Sequence, residues 1–328
     1  MEIETFVRLG LDRSLRLGKV ANGRSTGDIF KQVASAGDAT YHPCPEAYPA
    51  ADVPAGTVTE VLDWAESTVF PGTKRDIAVY APAQLAESAE APALVVFNDG
   101  NLYRDPAGAV RATRVLDTLN HGGEIPLTAA VFVTAGRPLE VPSDRELRAS
   151  GEVLPTSQVV AVTTQRSDEY DRLTEDHPRF LLEEALPMAE ELLGRPFTSD
   201  AALRAVCGIS SGGIAAFNAA WHRPESFGAV ISHCGSFANI QGGHEYPYLV
   251  RSTERKPIKV WMQGGAGDAD LPYGNWPLAN QQMAAALAYA GYEVQFEFGT
   301  GSHNARHGGA MLANTLRWLW GGGSYALA

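Results

Sequence analysis

Cysteine is scarce in this chain: Cys44, Cys207 and Cys234 are the three in 328 residues, an odd number at wide spacing. That pattern fits neither a disulfide framework nor a zinc site of paired ligands. Cys207 and Cys234 read instead as small buried apolar residues at strand ends. Runs of Lys and Arg are also missing, and the formal net charge is −12. Phosphate polymers are bound by clustered cations that release counterions, so the composition argues against nucleic acid and against an anionic lipid surface. No window approaches the roughly 18 uninterrupted apolar residues of a membrane span. The opening "MEIETFVRLGLDR" lacks a basic stretch followed by an apolar block, so no signal peptide is expected and the default location is cytoplasmic. There is no internal repeat. The remaining composition is ordinary for a chain that folds in water: 45% hydrophobic and 20% charged residues, with length enough for one large domain.

Residues 1 to about 55 include "HPCPEAYPAADVPAG", whose prolines and small residues predict an irregular N-terminal extension packed on the core that follows. From residue 56, alternating apolar residues broken by "FPGT" predict a hairpin that opens a larger sheet. Six nearly continuous apolar runs come next: "ALVVFNDG", "AAVFVTAG", "RAVCGIS", "GAVISHCG", "IKVWMQGG" and "EVQFEFGTG". Runs of that length suit strands covered on both faces. Helical spacing in "RFLLEEALPMAEELLG", "GGIAAFNAAWH", "ANQQMAAALAYAG" and "GGAMLANTLRWLW" supplies the covers. The fold expected is a mostly parallel, doubly wound α/β sheet spanning residues 56–320. Residues 137–165, rich in Pro, Ser and Glu, show no clear period and read as a long loop, a lid or binding wall. Residues 321–328 read as a flexible tail.

The stretch "CGISSGG" holds the frame G-x-S-x-G at Gly208, Ser210 and Gly212, after a predicted strand and before a predicted helix. A nucleophile on so tight a turn has strained backbone angles, and glycines two residues away relieve the collisions that side chains would cause. Ser210 is therefore the candidate nucleophile. Ser211 lies on the first helical turn, where its free N–H can donate to a developing oxyanion. The competing reading is a glycine-rich turn that binds phosphate or merely packs tightly.

A serine hydroxyl needs a base, and the order expected in such a fold is Ser, acid, His. Of eight histidines, only His303 and His307 follow the last strand. His303 comes directly after the strand end and is preferred, while His307 more plausibly shapes the pocket or starts the final helix. "AGDAD" after "IKVWMQGG" offers Asp268 and Asp270; Asp268 is nearer the strand end and is preferred, although loop aspartates are usually solvated turn formers. The second oxyanion donor is expected from the backbone of Gly100 or Asn101, with Asp99 bonding locally beside it. Tyr103, Tyr273 and Trp276, on loops at the C-terminal edge of the sheet, are placed to stack on an aromatic acyl group or a sugar, or simply to pack.

Taken together, "VVFNDGNLY", "QRSDEYD", "GISSGGIAAFNAAWHRPESFGAVISHCGSF", "GNWPLANQQMAAALAYAGYEVQFEFGTGSHNARHGG" and "LRWLW" resemble the esterase D and enterochelin-esterase-like branch of the α/β-hydrolases from about residue 55 to 320. The resemblance implies a serine carboxylic-ester hydrolase with no cofactor and no metal, with Ser210 as nucleophile, His303 as base and Asp268 as acid. It also implies that Arg166 and Glu169 line or brace the pocket, a salt-bridged loop brace being the plainer alternative. The branch includes siderophore, feruloyl and acetyl-xylan esterases, S-formylglutathione hydrolases and mycolyltransferases, so membership does not choose the substrate. Acyl transfer to an alcohol by the same triad, and a non-catalytic binding protein that kept the fold, are the rival functions. The expected partner is a small-molecule ester, and a homodimer is compatible with the sequence.

Overall fold

The computed structural model describes residues 37–153 and 155–321. Residues 1–36, most of the expected N-terminal extension, and residues 322–328, the expected tail, lie outside the described residues.

The hairpin expected near residue 56 is formed by β1 (Thr57–Trp64) and β2 (Thr73–Ala81), paired antiparallel. The six apolar runs become β3 (Ala93–Asn98), β4 (Thr128–Val133), β6 (Arg204–Ile209), β7 (Ala229–His233), β8 (Lys259–Gly267) and β11 (Glu293–Ser302). They lie in the order β1-β2-β4-β3-β6-β7-β8-β11, and every neighbouring pair from β4 onward is parallel. A two-residue β5 (Arg137–Pro138) pairs with β2, and β9 (Asp270–Leu271) with β10 (Gly274–Asn275) forms a separate small ladder.

Ten α-helices lie among the described residues: α1 (Gly100–Arg104), α2 (Ala112–His121), α3 (Asp144–Ser150), α4 (Thr156–Tyr170), α5 (Asp176–Phe180), α6 (Leu186–Leu193), α7 (Ser211–His222), α8 (Tyr246–Ser252), α9 (Trp276–Tyr289) and α10 (Arg306–Trp320). Alternation along each strand divides the core in two. Ile77, Val79, Leu94 and Val96 point to the layer holding Leu181, Ile214, Phe217 and Met283. Their neighbours Ala78, Tyr80, Val95 and Phe97 point to the opposite layer, with Val115, Leu116, Leu312 and Leu316. This two-sided burial is why the strands read as unbroken apolar runs.

Between α5 and α6 the helix widens to a π turn over Leu181–Ala185. Pro187 comes next; without an N–H it cannot complete the regular ladder to Glu183, which accounts for the wider turn.

One expectation is corrected. Residues 137–165 are not a structureless loop: they carry α3 and most of α4. Ser143 starts α3 through a capping box with Glu146, the serine side chain accepting from the Glu146 N–H. In α4 the run "VVAVTT" is β-branched and lacks a clean apolar stripe, so periodicity alone does not mark it as helical.

Candidate active site

The strand-to-helix turn after β6 is built by exclusion. Ser210 has φ 59° and ψ −123°, far from the backbone preferred by a residue with a side chain. A Cβ on Gly208 would lie 2.1 Å from the carbonyl oxygen of Gly212, and one on Gly212 would lie 2.7 Å from Asp99 Oδ2. The turn is tied on both sides: Ser210 N–H donates to the His233 carbonyl at 2.9 Å, and Asn98 Nδ2 donates to the Gly212 carbonyl at 3.0 Å. His177 supports Asn98 with a 3.0 Å contact from Nε2 to Oδ1. Burial pulls the His177 pKa down to about 3, helped by the nearby Arg75 charge. Neutral His177 can therefore donate at Nε2.

Against this turn comes the loop after β11. His303 Nε2 lies 2.8 Å from Ser210 Oγ, and His303 Nδ1 lies 2.6 Å from Asp268 Oδ1. Asp268 is almost wholly buried, and its Oδ1 also accepts from the Ala269 N–H at 2.6 Å. An ionised carboxylate only accepts, so the contact places the imidazole proton on Nδ1 and leaves Nε2 to accept from the serine. Trp276 stands edge-on to the ring of His303, with centroids 5.8 Å apart and planes at 85°. Ser236 Oγ lies 3.3 Å from Ser210 Oγ, a neighbour that escapes a reading of the sequence because an isolated serine after β7 carries no signal of its own.

The main-chain positions considered for an oxyanion also converge on this end of the sheet. Ser211 opens α7 and Gly100 and Asn101 open α1, so their N–H groups fall in first helical turns. A Cβ on Gly100 would lie 2.5 Å from that of Phe132, so only glycine fits. Asp99 precedes it with φ 54° and holds Arg166 in a two-pronged pair, at 2.8 Å to Nε and 2.7 Å to Nη2. In place of the local bonding expected of it, the Asp99 side chain grips a residue of α4.

Apart from Trp276 against the His303 ring, the remaining predicted side chains do not gather at Ser210. Glu169 is buried on Arg75, at 2.7 and 3.0 Å, and accepts from the Gly136 N–H, which is a brace. Tyr103 is fully buried with its hydroxyl 2.9 Å from His233 Nδ1. His307 is buried, stacked on Tyr41 at 4.1 Å and bonded to Gln263 at 2.9 Å. Tyr273 and Trp276 belong to a small apolar cluster with Ala269 and Leu271. The bodies of these side chains are held in the core, so packing is the role their burial fits. Asp270 is exposed on β9, whereas Asp268 meets the imidazole.

A cleft of about 620 Å³ adjoins the turn at Ile209 and Asp99, walled by Asn101, Arg104, Arg145 and Arg166. Its cations meet carboxylates: Arg104 meets Glu60, Arg137 and Arg145 share Asp63, and Arg166 meets Asp99. Cys234, Asp268 and His303 bring donor atoms within 4.8 Å of one another. Burial holds the Cys234 thiol pKa well above its usual range, reinforced by the Asp268 charge, and the imidazole and carboxylate already bond each other. The group reads as a hydrogen-bonded cluster rather than a metal centre.

Sheet order, elbow serine and histidine loop define an α/β-hydrolase. The Esterase family, described as "Putative esterase", matches residues 67–318. The chain belongs to that family. The iron(III) enterobactin esterase of Dickeya dadantii (strain 3937) is 26% identical over 274 residues, covering 79% of this chain and 54% of that protein. The chain thus spans about half the length of this curated relative. The enterobactin esterase of Shigella flexneri, solved in the presence of enterobactin, superposes with a TM-score of 0.63 at 22% identity, over 85% of this chain and 62% of that one. A ferulic acid esterase from Anaeromyces mucronatus, in complex with ferulic acid, gives a TM-score of 0.58 at 16% identity, over 84% and 95%. Among the described residues no helix is long and apolar enough to cross a membrane.

Proposed function

We propose that the chain hydrolyses a carboxylic ester through Ser210, His303 and Asp268. The observation that carries this reading is the continuous line of contacts from Asp268 Oδ1 through His303 to Ser210 Oγ, at 2.6 and 2.8 Å. Ser210 Oγ attacks the ester carbonyl while His303 Nε2 takes its proton, and the C–O bond to the leaving alcohol breaks as the same proton is returned to it. Water then enters, gives a proton to His303 and attacks the acyl-enzyme; the acid leaves and Ser210 regains its proton. Asp268 keeps the imidazole in the tautomer that accepts at Nε2 and stabilises the imidazolium between steps. The N–H of Ser211, with that of Gly100 or Asn101, holds the oxyanion, a role worth about 3 kcal/mol of barrier per donor.

The substrate we propose is a small or medium ester carrying a hydroxylated aromatic acid. Similarity to esterases named for enterobactin and for ferulic acid supports this, as does a cleft that reaches Ile209, the residue before Ser210, and whose cations each meet a carboxylate. Hydroxyl groups can share those donors and acceptors without leaving a buried charge unpaired.

Ser210→Ala is expected to lower turnover of p-nitrophenyl acetate by more than about a thousandfold at unchanged melting temperature. Retained turnover moves the nucleophile elsewhere. A panel of feruloyl, acetyl-sugar, lactone and catecholate esters then ranks the acyl group; preference for acetyl-sugars over both aromatic classes rejects the aromatic assignment.

A further inference from the structure

The end of β11 is irregular. Its parallel register with β8 runs evenly from Glu293↔Lys259 to Gly299↔Gly265, then shifts before Ser302↔Gly267. The shift sets His303 at the head of a loop facing Ser210, and main-chain donors around it need partners from elsewhere. Both partners come from a short turn far upstream. Tyr41 hydroxyl accepts from the Thr300 N–H at 3.0 Å, and Asp38 Oδ1 accepts from the Ser302 N–H at 2.9 Å. Asp38 Oδ2 accepts from the Ser302 hydroxyl and, at 2.9 Å, from Asn304 Nδ2. One buried carboxylate therefore grips the residues on both sides of His303.

The fit is close on both sides. A Cβ on Gly37 would lie 2.1 Å from the Thr300 carbonyl oxygen, and one on Gly299 would lie 2.1 Å from the Tyr41 hydroxyl. Tyr41 also stacks on His307, at the start of the helix beyond the loop. Asp38 and Tyr41 both lie outside residues 67–318, the stretch matched by the family.

We propose that Asp38 is a positioning residue for His303: by bonding Ser302 and Asn304 it fixes the loop so that the imidazole meets Ser210. This rests on the triad of Ser210, His303 and Asp268 proposed for the reaction. An imidazole on a loose loop still allows substrate to bind, but spends less time where the proton can pass, so the loss falls on kcat and not on KM.

The test compares the full-length chain with Asp38→Ala, Ser302→Ala and Glu46→Ala, using p-nitrophenyl acetate and a fluorophosphonate probe. Asp38→Ala is expected to lower kcat about tenfold to a hundredfold with KM within about twofold, and to slow Ser210 labelling in proportion. Ser302→Ala, which removes one of the three donors to Asp38, is expected to show the same split at smaller size; it carries the test if Asp38→Ala does not fold. Glu46→Ala removes the 2.6 Å ion pair that ties the same upstream segment to Arg317, without touching the loop. It is expected to leave kcat unchanged. Unchanged kcat in Asp38→Ala, with Ser210→Ala inactive, overturns this proposal alone. An equal loss in Glu46→Ala also overturns it, since general loosening would then be the cause. Turnover retained in Ser210→Ala removes the triad and this proposal with it.

Discussion

Two loops meet at Ser210, and they are held by opposite means. The turn of residues 208–213 is fixed mainly by close packing, with Gly208 pressed on the Gly212 carbonyl and Gly212 on Asp99, and by bonds to main-chain groups of the turn from the ends of neighbouring strands. The loop of residues 299–306 is fixed by side chains, with Asp268 and Asp38 each accepting bonds from it. The first device tolerates no added atoms, and its one long-range side-chain tie, from Asn98, falls on a main-chain carbonyl. The second accepts isosteric change while the fold persists, yet depends on residues far away in sequence, Asp38 and Ser302 being 264 positions apart. Precision at one site is thus reached once by steric exclusion and once by directed charge.

The largest expected effect breaks the histidine side. Asp268→Asn keeps the volume but removes the charge that stabilises the imidazolium, and an amide nitrogen in the Oδ1 position would offer a donor where both His303 Nδ1–H and the Ala269 N–H need an acceptor, which favours the wrong tautomer. Turnover is expected to fall by about 10⁴ with the melting temperature little changed. A loss below tenfold would mean that another carboxylate orients the ring. Next comes the turn. Gly208→Ala places a methyl group 2.1 Å from the Gly212 oxygen, and backbone cannot give way cheaply. Stability should drop by about 1–3 kcal/mol, read by urea unfolding, and turnover by about a hundredfold as Ser210 is displaced. If Gly208→Ala were active and stable, exclusion would not be what holds the turn.

The same contrast explains what can be read in the residues alone. Steric exclusion leaves glycines in fixed places beside the serine, and two-sided burial leaves apolar runs, so the elbow, the six strands and the choice of His303 and Asp268 as candidates are legible in the sequence. Directed charge leaves no local mark. Nothing near Asp38 indicates Ser302, nothing near Arg75 indicates Glu169, and the bidentate grip of Arg166 on Asp99 joins helix α4 to the turn before α1. Helix α4 escapes for a related reason: its β-branched sequence opposes helix propensity, and neighbouring packing decides the outcome. Tyr103 sits at the expected end of the sheet, but burial, which composition cannot report, turns it inward, and Trp276, also buried, meets the site only through the edge of the His303 ring.

The smallest effect expected concerns a charge on the turn side. Asp171 is buried near Ser211 and accepts from Ser167 Oγ at 2.8 Å. Burial pushes its carboxyl up from the ordinary 3.8 to about 6, against the opposing pull of Arg166 and of hydrogen bonds from Ser167 and Ser211. A carboxyl whose pKa is higher folded than unfolded holds its proton more tightly in the native state. Its contribution is therefore complete below the unfolded value and is lost as pH rises through the folded one. The native protein should lose stability from this group between pH 3.8 and about 6. Asp171→Asn, which cannot ionise, should escape that loss, so its melting temperature relative to the parent chain should rise by a few degrees between about pH 4 and pH 7 and stay level above. A difference that is flat or falls across this range would show that Asp171 is charged in the fold, and that the turn too leans on a directed ion pair with Arg166.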